Sequence, residues 1–344
     1  MAEQASTPID SGARPQGGNG SGARKSRALP HPKTEAVKST YATIFPRPDI
    51  GQRLPEEFVE MVHKLEVMVK APIWLLVQNG DADFCCDHIC QHALDGFLMQ
   101  RKDIREGQPA ALLIHSPGGN AHYAYTIARI FQRRTQHFTA IVPSYAKSAA
   151  TLLALGASRL IIGRDAELGP LDVQMRDRDR EEIGSALDAV QSLEQLNEFS
   201  LTAVDQLMML LKERTGKRTD ILLPLALNYA TAFVRPLLEK IDTVDYTRKS
   251  RELRVAEEYA VRLMQKNYPI KVAKEIAARL VKRYPTHGFV IDRQEAVSPI
   301  VSEESFGLGL RAQLPSPEME LLFEEMLPYL DQLSVIGRLV EVKQ

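Results

Sequence analysis

The sequence predicts an α/β fold: a stacked β-α-β core with additional helices in its C-terminal part. Three observations carry this. Short apolar runs at Ile73–Val77, Ala110–His115, Thr139–Val142 and Arg159–Ile162 do not alternate with polar residues, as strands buried on both faces do not. Segments of helical period lie between them. Beyond Gln174 the texture changes to a mixed-charge run, Arg176 to Glu182, and then to long helical stretches.

Residues 1 to about 40 are rich in Gly, Ser, Pro, Arg and Lys and nearly free of large apolar side chains. Such a segment does not offset the entropy of ordering and reads as a disordered basic tail, a solvated linker more than a nucleic-acid or lipid contact. Leu54 to Val69 has Phe58, Met61, Val62, Leu65 and Met68 on one helical face. Asp83 to Gln100 reads as a helix with Cys86/Cys90 and His88/His92 each at i, i+4. One helix face does not surround a tetrahedral ion, so packed thiols and half-exposed imidazoles are the expectation, with no metal.

After Ala110–His115 the chain breaks at Ser116-Pro117-Gly118-Gly119, and Asn120 stands as the N-cap of a helix to Arg134 whose inward stripe is Ala124, Ile127, Ala128 and Phe131. A strand, Thr139–Val142, leads through Pro143–Lys147 to Ser148, which heads the small-residue run Ala149-Ala150-Thr151-Leu152-Leu153. Ala186 to Lys212, Glu257 to Met264 and Val272 to Val281 read as further helices. The organisation expected is a tail (1–40), an α/β core (41–175) and a mainly helical part (176–344) that completes the core and supplies subunit contacts.

Bulk properties narrow the function. The formal net charge is −1, which makes no electrostatic case for nucleic acid. The three cysteines, Cys85, Cys86 and Cys90, are odd in number and clustered, which fits a reducing cytosol better than a disulfide framework. The N-terminus has no apolar core of a signal peptide. The best membrane candidate, Ile221 to Leu238, is interrupted by Pro224, Asn228, Tyr229, Arg235 and Pro236, so no membrane span is expected.

Two glycines after a strand leave backbone N–H groups uncovered, and a hydroxyl at Ser148 stands in the field of a helix N-terminus. Donors on one side and a hydroxyl on the other are the parts of acyl transfer: Ser148 as nucleophile, with the amides of Gly118, Gly119 and Ala149 as an oxyanion hole. On the residues alone Ser148 favours an ordinary helix cap and the glycines a tight turn without a ligand, and the catalytic assignment rests on the family spacing.

Ser-Pro-Gly-Gly, followed 29 residues after Gly119 by Ser148 in a small-residue helix start, resembles the Clp-protease/crotonase superfamily. Within it, Ala146 to Ala157 and Leu168-Gly169-Pro170-Leu171-Asp172-Val173-Gln174 resemble the serine dehydrogenase proteinase family, related to signal peptide peptidase A and the Clp proteolytic subunit. The resemblance is dense over about residues 73 to 175. Thr286-His287-Gly288-Phe289, Glu295-Ala296 and Gly307-Leu308-Gly309-Leu310 give a thinner echo. It implies a serine peptidase of Clp-like fold acting on peptide or protein substrates as a homo-oligomer, without cofactor. Many members of that family carry a membrane anchor before the protease part; this chain departs there, and a cytoplasmic enzyme is expected.

The general base stays open. The resemblance implies a histidine about 25 residues past the serine, where this chain has Gly169-Pro170-Leu171-Asp172, or a downstream lysine, and no lysine lies between Ser148 and Lys212. Lys147, Asp172, Lys212, Lys217 and His287 are the candidates, with Lys147 and Asp172 preferred because they lie inside the dense match. A non-catalytic scaffold or regulatory subunit of the same fold and, last, a crotonase-like acyl-CoA enzyme are the rival readings.

Overall fold

The computed structural model describes residues 40–45, 54–80, 87–172, 174–176, 183–302 and 304–342. Nearly all of the expected tail, Cys85, Cys86 and residues 177–182 of the mixed-charge run lie outside them.

In chain order the elements are β1 (Thr40–Phe45), α1 (Glu56–Val69), β2 (Ile73–Val77), α2 (Gln91–Gln100), β3 (Ala110–His115), α3 (Ala121–Arg134), β4 (Phe138–Val142), β5 (Tyr145–Ala146), α4 (Ala149–Leu155), β6 (Arg159–Ile162) and β7 (Glu167–Leu168). There follow β8 (Gln174–Arg176), β9 (Ile183–Ser185), α5 (Ala186–Thr215), α6 (Thr219–Leu238), α7 (Thr243–Met264), α8 (Ile270–Lys282), β10 (Ile291–Asp292), α9 (Arg293–Val297), β11 (Ala312–Gln313), α10 (Pro317–Leu330) and β12 (Val335–Val342).

The main sheet runs β1-β12-β2-β3-β4-β6-β11. Its β2-β3-β4-β6-β11 portion is parallel, and β12 and β1 extend it antiparallel. The apolar strands are buried on both faces, as their composition predicts. Trp74, Leu76, Leu112, Ile114, Ala140 and Val142 pack with α2, α3, α4, α7 and α8. Their neighbours Ile73, Leu75, Val77, Ala111, Leu113 and Ile141 pack with α1 and α10. The period-2 geometry of a strand sends alternate side chains to the two layers. The part after residue 175 is thus not purely helical: β11 and β12 complete the sheet, and β10 joins a small second sheet, β10-β7-β5.

Two expectations are corrected. The helix read over Asp83–Gln100 begins only at Gln91, with Cys90 at its N-cap, so His88 and His92 do not share a helical face. Ile221–Leu238 is not broken by its prolines. It lies in α6, which runs through Pro224 and Pro236 and is long and apolar enough to cross a bilayer by length and composition. Leu222, Ala226, Ala230 and Val234 are buried along one side of α6, and tertiary packing of such a stripe outweighs two missing N–H donors.

Candidate active site

Asn120 caps α3 as expected, its side chain accepting from His122 N at 2.9 Å and Tyr123 N at 3.3 Å. That fixes the turn ahead of it. Ile89 N donates to Gly118 O at 2.7 Å and Asn120 N to Ile89 O at 2.9 Å, so the chain at Gly119 is bridged to Ile89. Gly118 and Gly119 both have positive φ, +105° and +139°. A Cβ on Gly119 would stand 2.6 Å from Ile89 N, and one on Gly118 2.6 Å from Lys147 O and 3.1 Å from Ala149 N. Only glycine lets the two segments approach this closely.

Ser148 sits at the head of α4 with φ 50° and ψ −120°, and its side chain makes no capping bond. The ordinary-cap reading of this serine therefore fails. The other non-glycine residue of positive φ among the described residues, Lys70, is a left-handed helix end, a common resting place. The Ser148 conformation lies outside that basin and costs about 1–3 kcal/mol. The surroundings hold it. Lys147 N donates to Ser116 O at 3.0 Å on one side, and on the other Thr151 Oγ1 donates to Ala146 O at 2.6 Å or Gly169 O at 2.8 Å. Gly169 leaves room: a Cβ there would meet Lys147 Cα and Ser148 N, each at 3.1 Å.

Ser148, Gly118, Gly119, Ala149, Asp172 and His287 line one cavity of about 880 Å³, together with Leu152, Leu171 and Glu252. Its amides are not equivalent. Gly118 N–H donates to Ser116 Oγ at 3.2 Å, and that hydroxyl is itself bonded to Gln78 Oε1 at 2.7 Å. The N–H groups of Gly119 and Ala149 have no partner among the described residues.

The candidate bases separate. Lys147 does not line the cavity; its Nζ donates to Glu167 Oε2 at 2.5 Å. Lys212 lies near the far end of α5, roughly 38 Å from Leu187 at the helix rise per residue, and Lys217 lies beyond it. Asp172 is buried, accepting from Leu187 N at 3.3 Å and from the Ser185 hydroxyl. Burial pushes its carboxyl above the ordinary range; Ser185, Leu187 and the nearby His287 oppose the rise, and Asp188 adds to it. His287 reaches the cavity because Leu171 N donates to Leu280 O at 2.8 Å and β10 pairs with β7, drawing the segment after α8 along the 168–172 turn. Its Nδ1 is buried without a hydrogen-bond partner.

Sequence reasoning named His287 but ranked it below Lys147 and Asp172. It missed Ser116, which engages the Gly118 amide, and Ser185, which holds Asp172. The Ser185-x-x-Asp188 pattern at a helix start is the signal that marks the latter. Among the described residues no three His, Cys, Asp or Glu side chains gather to hold a metal.

The family model for ClpP-like SDH-type serine proteinases matches residues 90–211, a span that holds Gly118, Gly119, Ser148 and Asp172 but not His287. An uncharacterized protein of Methanocaldococcus jannaschii, MJ0137, is 41% identical over 68 residues, 20% of this chain and 24% of its own. A second from that organism, MJ1495, is 27% identical over 129 residues, 37% of this chain and 40% of its own. The chain thus spans less than half the length of either curated relative. Among solved structures, a mutant of the 1510-N membrane-bound stomatin-specific protease aligns over 40% of this chain and 63% of its own, at 18% identity and a TM-score of 0.25, too low to bear on this fold. Over residues 90–211, then, the chain matches the ClpP-like SDH-type serine proteinase family, as Ser-Pro-Gly-Gly, Ser148 and the Leu168–Asp172 turn indicated.

Proposed function

We propose that this protein is a serine peptidase that cleaves peptide bonds through an acyl-enzyme on Ser148. The observation that carries the reading is the strained, uncapped Ser148 backbone at the wall of the cavity. A residue that does not cap its helix, holds an uncommon conformation and lines the cavity is placed to offer its hydroxyl to a substrate.

In this reading His287 takes the proton from Ser148 Oγ as the oxygen attacks the scissile carbonyl, then returns it to the leaving amine. Asp172, tied by Ser185 and Leu187, favours the imidazolium while it lasts. The unpartnered amides of Gly119 and Ala149 receive the oxyanion, each such donor being worth ~2.7–4 kcal/mol of barrier. Gly118 contributes space rather than a hydrogen bond, since its N–H is engaged by Ser116. A water activated by His287 then releases the acyl group. Lys147 serves the turn through Glu167 and not the chemistry.

A fluorophosphonate probe with mass spectrometry tests this. The expected result is one covalent adduct on Ser148, lost in Ser148→Ala together with hydrolysis of a quenched peptide library. An unlabelled but folded protein overturns the reading.

A further inference from the structure

Helix α7 carries four acidic side chains, Asp245, Glu252, Glu257 and Glu258. Three of them are paired. Asp245 holds Arg248 at 2.7 Å and Lys249 at 2.8 Å, Glu257 holds Lys282 at 3.1 Å, and Glu258 holds Arg262 at 2.9 Å. Glu252 makes no ion pair or hydrogen bond among the described residues. Lys249 and Arg248, three and four residues before it, are the cations that would reach it along the helix, and Asp245 takes both. Of the four acids, the unpaired one is also the one that lines the cavity of Ser148.

The position of α7 beside that cavity is fixed. The Tyr259 hydroxyl bonds His122 Nδ1 at 3.0 Å, and its ring stacks on Tyr125 with centroids 4.2 Å apart. Gln132 Nε2 donates to Leu263 O at 2.8 Å. Glu252, Val255, Ala256 and Tyr259 recur at helical spacing, so one face of α7 presents a carboxylate beside apolar surface. Leu152 and Leu171 add to that apolar wall, and no lysine or arginine lines the cavity. Its other carboxylate, Asp172, is already engaged by Ser185 and the Leu187 amide.

We infer that Glu252 selects the substrate, by receiving the side chain of a lysine or arginine beside the scissile bond. Such a side chain has an apolar stem that lies along Val255, Leu152 and Leu171 while its cationic tip reaches the carboxylate. An acidic side chain meets like charge there and is refused. An aliphatic one covers the same wall but leaves Glu252 less hydrated and still unpaired. The inference rests on the peptidase reading, which supplies the scissile bond.

Two measurements keep the inference and that reading apart. In the first, the parent digests a peptide library and the cut positions are read by mass spectrometry. Lysine or arginine is expected at one fixed position of the products, favoured over norleucine by about tenfold, the lower end for a hydrogen bond to a charged group. Glu252→Gln flattens the preference, Glu252→Lys turns it towards aspartate and glutamate, and added salt weakens it. Glu252 is exposed, so neither substitution disturbs the core. In the second, Ser148→Ala, which forms no acyl-enzyme, binds fluorescent peptides of one sequence that differ only in a central lysine, norleucine or glutamate, followed by anisotropy. Cleavage without a basic preference, or with one that Glu252→Gln leaves untouched, overturns the inference and spares the peptidase reading. Lysine-selective binding that Glu252→Gln removes, in a protein whose parent cleaves nothing, supports Glu252 as the selecting residue and overturns the peptidase reading alone. Neither cleavage nor lysine-selective binding overturns both.

Discussion

Gly118 and Ser148 lie so close that a Cβ on the glycine would stand 2.8 Å from the serine Cβ. The missing side chain is therefore a structural part of the site. Gly118→Ala forces that contact at a φ of +105°. It is expected to destabilise the fold by about 1–3 kcal/mol, read as a lower urea midpoint, and to abolish probe labelling. A variant as stable and as reactive as the parent contradicts the packing described.

Ser148 stores strain that glycine releases and alanine keeps. Ser148→Gly is expected to be more stable than Ser148→Ala by about 1 kcal/mol, with both inert to the probe. Equal urea midpoints for the two variants mean that the backbone at this residue is not strained.

The base assignment predicts an order of effects. His287→Ala is expected to slow peptide hydrolysis by about 10²–10⁴-fold, whereas Lys147→Met leaves hydrolysis largely intact and, with Glu167 half exposed, costs under about 1 kcal/mol of stability. Comparable losses in kcat for both variants send the assignment back to the lysine.

Asp172 is costly to keep charged, because burial raises its pKa. A group raised in the folded state stabilises it most at low pH and loses that contribution as pH rises. Asp172→Asn is therefore expected to lower hydrolysis without lowering the urea midpoint at neutral pH. A clear loss of stability makes the carboxylate a structural anchor instead.

His115, at the end of β3 and fully buried, acts in the opposite sense. Burial lowers its pKa from 6.5 to about 4. Asp331 Oδ1 stands 3.7 Å from its Nε2, too far for a hydrogen bond, and the aspartate is exposed, so its pull does not offset burial. A depressed folded pKa gives stability that is present above pH 6.5 and lost as pH falls toward 4, by roughly 3 kcal/mol for this shift. The urea midpoint is expected to fall over that window in the parent and to fall less in His115→Leu. Parallel pH profiles refute it.

What was legible in the sequence is what short-range chemistry dictates. The doubly buried strands, the glycine pair ahead of Asn120 and the position of Ser148 at a helix start each follow from neighbours along the chain, whereas the strained backbone of Ser148 is held by Ser116, Gly118 and Gly169. That Ser148 and His287 line one cavity does not follow from neighbours, because the two are 139 residues apart. Only the β10–β7 pairing and the Leu171–Leu280 hydrogen bond bring the imidazole to the cavity that Ser148 lines. The preference for Lys147 rested on its place inside the dense resemblance, and the fold sets Glu167 beside its amine. Likewise the prolines of α6 argue for a break locally, and packing of the Leu222–Val234 stripe outweighs them. Local backbone preferences settled the turns and strands of this protein; which distant side chains share a site was left to contacts whose energy exists only once the sheet and its covering helices are assembled.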